Sequence, residues 1–283
     1  MGLRSTVDAG SSMLVGDRQQ KTRGVTTGPL VAVLVALVCM AVGQATGVRT
    51  LKGTGVDPSS PTGVIVSCLA AFLPTAVLLG AWVALGERRP VASLGLSGAG
   101  RTRGILIGGA SAVAGLIVLN VGASMLSGSA EGDSGDSIAL GTAVLLLVAV
   151  TVQASTEELV FRGFLLPKFS ERWGAAAGVL GSSALFACAH LANASAPVAY
   201  ILMTFLLGDA LALWALADGC IWRSCAFHTM WNFVPQLASG DAERNASADF
   251  DAATLGVAAV VLLALVAFAL RAYRRSVTST AAA

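Results

Sequence analysis

The chain has 283 residues, of which 55% are hydrophobic and only 12% are charged, and its mean hydropathy is +0.76. Because a soluble domain carries about 25% charged residues, this composition excludes a soluble globular protein and predicts an integral membrane protein. The formal net charge is only +2 and the basic residues are scattered between apolar segments, which excludes the basic patch of a nucleic-acid-binding protein.

The order of polar and apolar segments predicts an all-α, polytopic membrane protein with about eight transmembrane helices. Residues 1–26 are polar and predict a disordered cytoplasmic tail. A single transmembrane helical domain follows over 27–272, with a catalytic core at about 138–237, and a short tail covers 273–283. A helical span needs about 20 mainly apolar residues. The candidate spans are 29–48, 63–85, 104–126, 138–158, 174–192, 197–217, 219–237 and 254–271.

The basic residues predict the orientation of these spans. If the N-terminus is cytoplasmic, 15 of the 18 Lys and Arg residues fall in the tails and in the loops on the same side. Cytoplasmic loops retain Lys and Arg, so both termini are expected in the cytoplasm of a multi-pass protein of the cell membrane. We also expect the fourth span to continue no further than Leu166, because Pro167 ends helices.

Side chains that can carry chemistry lie in three of the spans. The chain contains only two histidines, His190 and His228, and both fall in apolar segments, as does the adjacent pair Glu157 and Glu158. An ionisable side chain at the centre of a bilayer costs about 2.5–3.5 kcal/mol, so it commonly marks a functional site. Three pairs at i,i+4 spacing share helix faces. They are Glu158 with Arg162, Phe186 with His190, and His228 with Asn232.

The spacing also predicts how the two glutamates differ. Glu158 and Arg162 are placed to form an ion pair, which holds both charges at lower cost than either charge alone. Glu157 lies about 100° further round the helix. We therefore expect Glu157 to be the glutamate that is free to react.

A carboxylate and two imidazoles have two uses in catalysis. Glu157, His190 and His228 could bind zinc, with a fourth position for water. Alternatively, Glu157 and His190 could deprotonate a water directly, while His228 and Asn232 stabilise the oxyanion formed at a peptide carbonyl. Asn232 favours the second use, because an amide is a poor zinc ligand, and the HExxH pattern of zinc proteases is absent. Both uses predict peptide-bond hydrolysis, and the favoured one requires no cofactor.

The three patterns, in this order and in separate apolar segments, resemble those of the CPBP family of intramembrane proteases. This family is also called the CAAX-protease and bacteriocin-processing or ABI family, and it includes the type II CAAX prenyl endopeptidases. The resemblance covers roughly residues 88–234. It includes the stretches Arg89-Pro90-Val91-Ala92-Ser93-Leu94-Gly95-Leu96 and Glu157-Glu158-Leu159-Val160-Phe161-Arg162-Gly163-Phe164-Leu165.

The resemblance implies a role for each motif residue. Glu157 would be the catalytic glutamate, His190 its partner on the water, and His228 with Asn232 the oxyanion site, with Glu158 and Arg162 completing the catalytic set. Both metal-free and metal-dependent schemes are held for the family. If zinc is bound, its ligands would be Glu157, His190 and His228.

The expected activity is that of an intramembrane endopeptidase that cuts near the cytoplasmic side of the membrane. Its expected partners are a peptide or membrane-protein substrate and the lipid bilayer, with no nucleic acid, and no oligomeric state is predicted. Two other functions stay open. One is a proton-coupled transporter, since buried Glu and His also build proton relays, and the other is a non-catalytic immunity or binding protein of the same fold.

The depths of the motif residues do not agree if every span is a straight helix. Glu157 and His228 lie a turn or two from basic residues at the cytoplasmic border, whereas His190 lies roughly 24 Å along its helix. We therefore expect a distortion. Either the fifth span is strongly tilted or begins outside the membrane proper, or the segment 162–168 is buried within the protein.

Overall fold

The computed structural model describes residues 25–98, 100–127, 138–192, 197–239 and 252–281, and regular structure within these ranges is entirely helical. The nine main helices are α1 (Pro29–Thr54), α2 (Pro61–Ala81), α3 (Arg101–Ser127), α4 (Leu140–Glu158), α5 (Leu166–Trp173), α6 (Ala175–Ala189), α7 (Val198–Asp218), α8 (Trp222–Ser239) and α9 (Ala252–Ala281). Two π-helical segments, Trp82–Gly86 and Leu159–Leu165, follow α2 and α4. Most of the predicted N-terminal tail, residues 1–24, lies outside the described residues.

Seven helical segments of the described chain are long and apolar enough to cross a membrane, which confirms an all-α polytopic membrane protein. They are Pro29–Thr54, Pro61–Gly86, Arg101–Leu126, Leu140–Trp173, Ala175–Ala192, Val198–Asp218 and Ala252–Ser279. The remaining predicted span, 219–237, does form a helix, α8, but that helix carries Arg223, His228, Asn232 and Gln236. These polar side chains lower the mean hydropathy of α8, so this helix is not among the seven segments.

Helix α8 is enclosed by its neighbours. It packs on α3 and on α4, while α1 packs on α2, α6 on α7, and α7 on α9. Gly108 of α3 lies directly against the backbone carbonyl of Arg223, so no larger side chain fits between these helices. Small residues allow such close approach of helices in lipid. A polar helix is thereby held inside an otherwise apolar bundle.

The chain does not leave the helix at Pro167, contrary to the sequence prediction. The helical path continues from α4 through the π-helical segment Leu159–Leu165 into α5, which begins at Leu166 and has Pro167 in its first turn. Proline is tolerated there because the first-turn N–H groups lack intrahelical acceptors. The π turn separates the two α-helices, so Pro167 begins a helix instead of ending one.

The last helix is also longer than predicted. Helix α9 continues to Ala281, beyond the predicted end of the transmembrane domain at residue 272. The residues that follow Arg271 include no Gly or Pro before Ala281, so nothing in the local sequence ends the helix.

Candidate active site

A buried ion pair lies at the centre of the candidate site. Arg162 Nη1 donates to Glu158 Oε1 at 3.0 Å, and both side chains are fully buried. The ion pair expected from their spacing is therefore present, although Arg162 lies in the π-helical segment. Arg162 Nη2 also donates to the carbonyl of Gly208 in α7 at 3.2 Å. The guanidinium thus joins α4, the π segment and α7.

His228 lies between the two adjacent glutamates. Its Nδ1 is 2.9 Å from Glu158 Oε1, and its Nε2 is 3.6 Å from Glu157 Oε2. The residue is only 1% exposed. With Nδ1 engaged by Glu158, Nε2 is the ring nitrogen that remains for the predicted oxyanion role, and it points to the same place as the Glu157 carboxylate.

Glu157 and Glu158 each have a buried Oε2 without a hydrogen-bond partner among the described residues, but Oε1 of Glu158 is bonded to Arg162 and His228. Glu157 is the less buried of the two. Its Oε2 is buried and has no hydrogen-bond partner in the described part of the chain, and the residue is 7% exposed. The 3.6 Å to His228 Nε2 is slightly beyond hydrogen-bond length. A buried carboxylate oxygen without a donor is costly. Its free acceptor position suits a base that takes a proton from an incoming water.

Phe186 joins its own motif, which includes His190, to the motifs of Arg162 and His228. Its ring centroid is 4.3 Å from the Arg162 guanidinium, 4.7 Å from the His190 ring and 5.6 Å from the His228 ring. The side chain is fully buried. A cation over an aromatic face is stabilised by about 2 kcal/mol when desolvated. Phe186 therefore acts as a packing residue for the charged groups.

His190 directly follows the last residue of α6. A hydrogen bond to its ring defines its tautomer. Its Nδ1 is 2.8 Å from the carbonyl oxygen of Phe186, so Nδ1–H donates and Nε2 of the neutral ring is left as an acceptor. The ring is partly exposed and lies 6.0 Å from that of Tyr200. Asn232 is partly exposed on α8, one helical turn after His228. His190 therefore borders the buried cluster through Phe186, and Asn232 is less buried than His228 on the same helix.

The expected distortion of the helices is the burial of the segment near Arg162. Residues 160–166 are all buried, and they include the π-helical turns. Arg162 is therefore inside the bundle and does not mark a membrane border. π-Helical turns are frequent at functional sites, and here Arg162 of the π segment bonds both Glu158 and Gly208.

The side chains named for a zinc site do not converge on one point. Among the described His, Cys, Asp and Glu side chains, no group of three is arranged to hold a metal ion. Glu157 and His228 face each other, but the contacts of His190 are with Phe186 and Tyr200. Zinc requires nitrogen and oxygen ligands at about 2.0–2.2 Å. This arrangement therefore does not fit a three-ligand zinc site, and no catalytic step is assigned to a metal.

One partner of the site was not predicted from the sequence. It is the carbonyl of Gly208, which bonds Arg162, and a backbone acceptor leaves no signal in the sequence. A polar residue near the site was also missed: Gln153 lies one helical turn before Glu157, and its Oε1 accepts from Cys68 Sγ at 3.4 Å. The i,i+4 spacing of Gln153 and Glu157 was a signal that could have identified this residue.

Comparison with known proteins agrees with this geometry. Residues 139–234 match the family model described as type II CAAX prenyl endopeptidase Rce1-like. No curated protein and no solved structure matches the chain. The matched segment extends from the start of α4 into α8, and therefore contains every motif residue of the candidate site. The match confirms the predicted resemblance over residues 139–234: this segment is similar to the Rce1-like type II CAAX prenyl endopeptidases, consistent with a protease of the CPBP family. The predicted stretch Arg89–Leu96 lies outside the matched residues.

Proposed function

We propose that the protein is a CAAX-type intramembrane endopeptidase that hydrolyses a peptide bond with a water activated by Glu157. The observation that carries this proposal is the unpartnered, buried Oε2 of Glu157, 3.6 Å from His228 Nε2. Neighbouring Glu158 holds Arg162 and His228 through its Oε1, and its side chain is fully buried. Two adjacent carboxylates therefore have separate tasks, one structural and one chemical.

The first step is the attack of water on the peptide carbonyl. Glu157 Oε2 takes one proton of the water, and His190 Nε2 accepts a hydrogen bond from the other hydrogen. The hydroxide oxygen forms a bond to the carbonyl carbon, and the carbonyl oxygen becomes an oxyanion. When the C–N bond breaks, the proton on Glu157 passes to the leaving amine, so Glu157 acts first as base and then as acid.

The oxyanion is stabilised from helix α8. His228 in its imidazolium form donates from Nδ1 to Glu158 and has Nε2–H free for the oxyanion, with Asn232 as a second donor. Hydrogen bonds to a developing oxyanion strengthen in a site that excludes bulk water. Glu158 and Arg162 contribute by fixing the orientation of the His228 ring.

The substrate is a peptide or membrane protein whose scissile bond approaches the site near the cytoplasmic side. Cleavage on that side follows from the predicted orientation, in which both termini are cytoplasmic. Substrate access is expected where His190 and Asn232 are partly exposed. Glu158 and Arg162 are fully buried and are not expected to touch the substrate.

The experiment that tests this function compares new peptide termini in whole cells that contain the native protein or Glu157→Gln at equal membrane levels. Termini that disappear with Glu157→Gln would establish proteolysis and identify the substrate. Identical termini under several growth conditions would contradict the proposal and favour a transporter or a binding protein. Proton flux into liposomes would then separate those two functions.

A chelator added to the same comparison tests the metal-free mechanism. Because the favoured scheme assigns no step to a metal, the Glu157-dependent termini should persist after chelation and should not increase with added zinc. Loss of these termini on chelation, with recovery on adding zinc, would contradict the metal-free scheme while leaving the protease assignment intact.

A further inference from the structure

One buried acidic residue, Asp209, has no role in the proposed mechanism. Asp209 lies in α7, is 7% exposed, and has a buried Oδ1 with no hydrogen-bond partner in the described ranges. The Ser183 side chain interacts with the Asp209 carboxylate, but Oδ1 is left without a donor. A buried carboxylate oxygen without a donor is costly, and a nearby positive charge reduces that cost.

Arg162 has a side-chain N–H donor without a partner. Its Nη1 and Nη2 bond Glu158 and the carbonyl of Gly208, whereas its buried Nε has no partner among the residues that the structure describes. Gly208 directly precedes Asp209, and the charges of Arg162 and Asp209 interact. An unsatisfied guanidinium nitrogen and an unsatisfied carboxylate oxygen thus lie in the same buried cluster.

An interaction of Arg162 with Asp209 would reduce the competition for the Glu158 carboxylate. Its Oε1 accepts from Arg162 at 3.0 Å and also lies 2.9 Å from His228 Nδ1, so a single oxygen serves two partners. If Arg162 depended on Glu158 alone, the guanidinium would compete with the imidazole for that oxygen. A second counter-ion on the α7 side reduces this competition.

We propose that Asp209 is a positioning residue that shares the charge of Arg162 and so leaves Glu158 able to hold His228 in line with Glu157. Asp209 acts through Arg162 and does not touch the substrate. Only the kinetic consequence of this pairing rests on the proposed function, since the pairing itself has readouts that do not require proteolysis.

The first test is nitrogen NMR of the histidine rings in native protein, Asp209→Asn and Asp218→Asn. The chain has only two histidines, so His190 and His228 can be assigned by single replacement. Asp209→Asn should shift the ring nitrogen resonances of His228, because the Glu158 bond is altered. Asp218→Asn, the same change in the same helix, should not, because Asp218 pairs with Arg223 at 2.8 Å. Unshifted His228 resonances in Asp209→Asn would overturn the proposal.

The second test is a double-mutant cycle of thermal stability in detergent micelles. Asp209→Asn should lower the melting temperature of the native protein, but raise that of Arg162→Gln, where two buried carboxylates lack their cation. A loss of equal size in both backgrounds would overturn the pairing. If Arg162→Gln does not accumulate, the NMR comparison decides alone.

The third test is kinetic and uses a peptide that the enzyme cleaves. Asp209→Asn should lower kcat about tenfold, the kinetic equivalent of one hydrogen bond, with KM unchanged. Asp218→Asn should leave kcat unchanged. A rise in KM with constant kcat would overturn the positioning role. Absence of cleavage by the native protein would instead contradict the proposed function and would leave the NMR and stability tests of the pairing intact.

Discussion

Two adjacent glutamates on one helix have different surroundings, because neighbouring residues of a helix face different directions. Glu158 bonds Arg162 and His228 through its Oε1 and is fully buried, whereas Glu157 is 7% exposed and has its Oε2 3.6 Å from His228 Nε2. A paired carboxylate is a poor base, because its partners stabilise its charged form. The environment of each side chain therefore assigns the two roles, although the residue type is the same.

Phe186 is a residue whose replacement tests the electrostatics of the cluster. Phe186→Leu keeps an apolar side chain but removes the ring that lies 4.3 Å from the Arg162 guanidinium. We expect a loss of about 2 kcal/mol in stability from this interaction alone, and a loss of activity because both histidine rings contact Phe186. The measurement is thermal unfolding in detergent together with peptide cleavage.

The matched control is Phe233→Leu. Phe233 is also buried, but it packs in a separate apolar cluster with residues such as Leu146 and Val150. This change should lower stability only by the packing that is lost when a smaller side chain replaces a buried one. Activity should stay close to native. Equal effects of the two changes would show that the Phe186 ring contributes nothing beyond packing.

At the residue scale, the sequence was informative where the partners lie on one helix or carry rare side chains. The Glu158–Arg162 pair follows from i,i+4 spacing, and the two histidines are conspicuous in apolar segments. The contact of His228 with Glu158 joins residues 70 positions apart, and no spacing rule predicts it. Gly208 was missed because it contributes a backbone oxygen.

At the element scale, the π-helical segment depends on a close approach of two backbones. Gly163 lies directly against the carbonyl of Leu94, and no room exists for a methyl group. Gly163→Ala should displace the segment, and with it Arg162 and Glu158, at a cost of about 1–3 kcal/mol, as for other overpacked sites. We expect both the melting temperature in detergent and peptide cleavage to fall.

Gly141→Ala is the matched control for this change. A methyl group at Gly141 meets nothing within 4 Å, and Ala is favoured over Gly in a helix by about 0.5–1 kcal/mol. The control should therefore be neutral or slightly stabilising. If Gly163→Ala behaves in the same way, the tight contact with Leu94 does not position the site.

A second element-scale interaction joins the end of the α2 segment to α5. Glu87 Oε1 and Oε2 bond Lys168 at 2.7 Å and Arg89 at 2.9 Å. Burial alone would raise the pKa of Glu87, but hydrogen bonds from Lys168 and Arg89 and the Lys168 charge outweigh it and lower the pKa below its ordinary value of 4.5. Its stabilisation is therefore fully present above about pH 4.5 and is lost as the pH falls through the lower, folded-state value.

The corresponding variant is Glu87→Gln. At pH 7 it should be less stable than the native protein by about 2 kcal/mol, the size of a charge-assisted hydrogen bond. The difference in melting temperature should shrink as the pH is lowered from 4.5. Glu171→Gln, an exposed position on α5, should show no such difference. A difference for Glu87→Gln that is constant with pH would contradict the charged interaction.

The elements themselves were predictable to different degrees. Long apolar segments predicted eight spans, and seven of these are confirmed as helices apolar enough to cross a membrane, because hydropathy alone is sufficient evidence for a helix in lipid. The prediction that the helix ends before Pro167 was wrong. A π turn before a proline depends on tertiary contacts such as that of Gly163 with Leu94. The predicted burial of the segment near Arg162 came from comparing depths between motifs, which is a constraint on several helices together.

At the scale of the whole molecule, the side of the membrane on which each chain end lies depends on whether α8 crosses the membrane. Seven described segments meet the length and hydropathy expected of a span, and α8 is a more polar helix that packs on α3 and α4. We expect α8 to cross as the eighth span, so that both ends are cytoplasmic. Fluorescent-protein and alkaline-phosphatase fusions at each terminus should report the same side. Opposite sides would show that α8 does not cross.

The central claim is that Glu157 is the base that activates water. The direct measurement is the cleavage rate of a peptide identified from the whole-cell termini, with purified native protein, Glu157→Gln and Glu171→Gln in liposomes. We predict that Glu157→Gln lowers kcat about 10²- to 10⁴-fold, the usual contribution of a general base, and that Glu171→Gln stays within about twofold of native because it lies outside the site. Native-like turnover by Glu157→Gln, at equal folded amounts, would contradict the account.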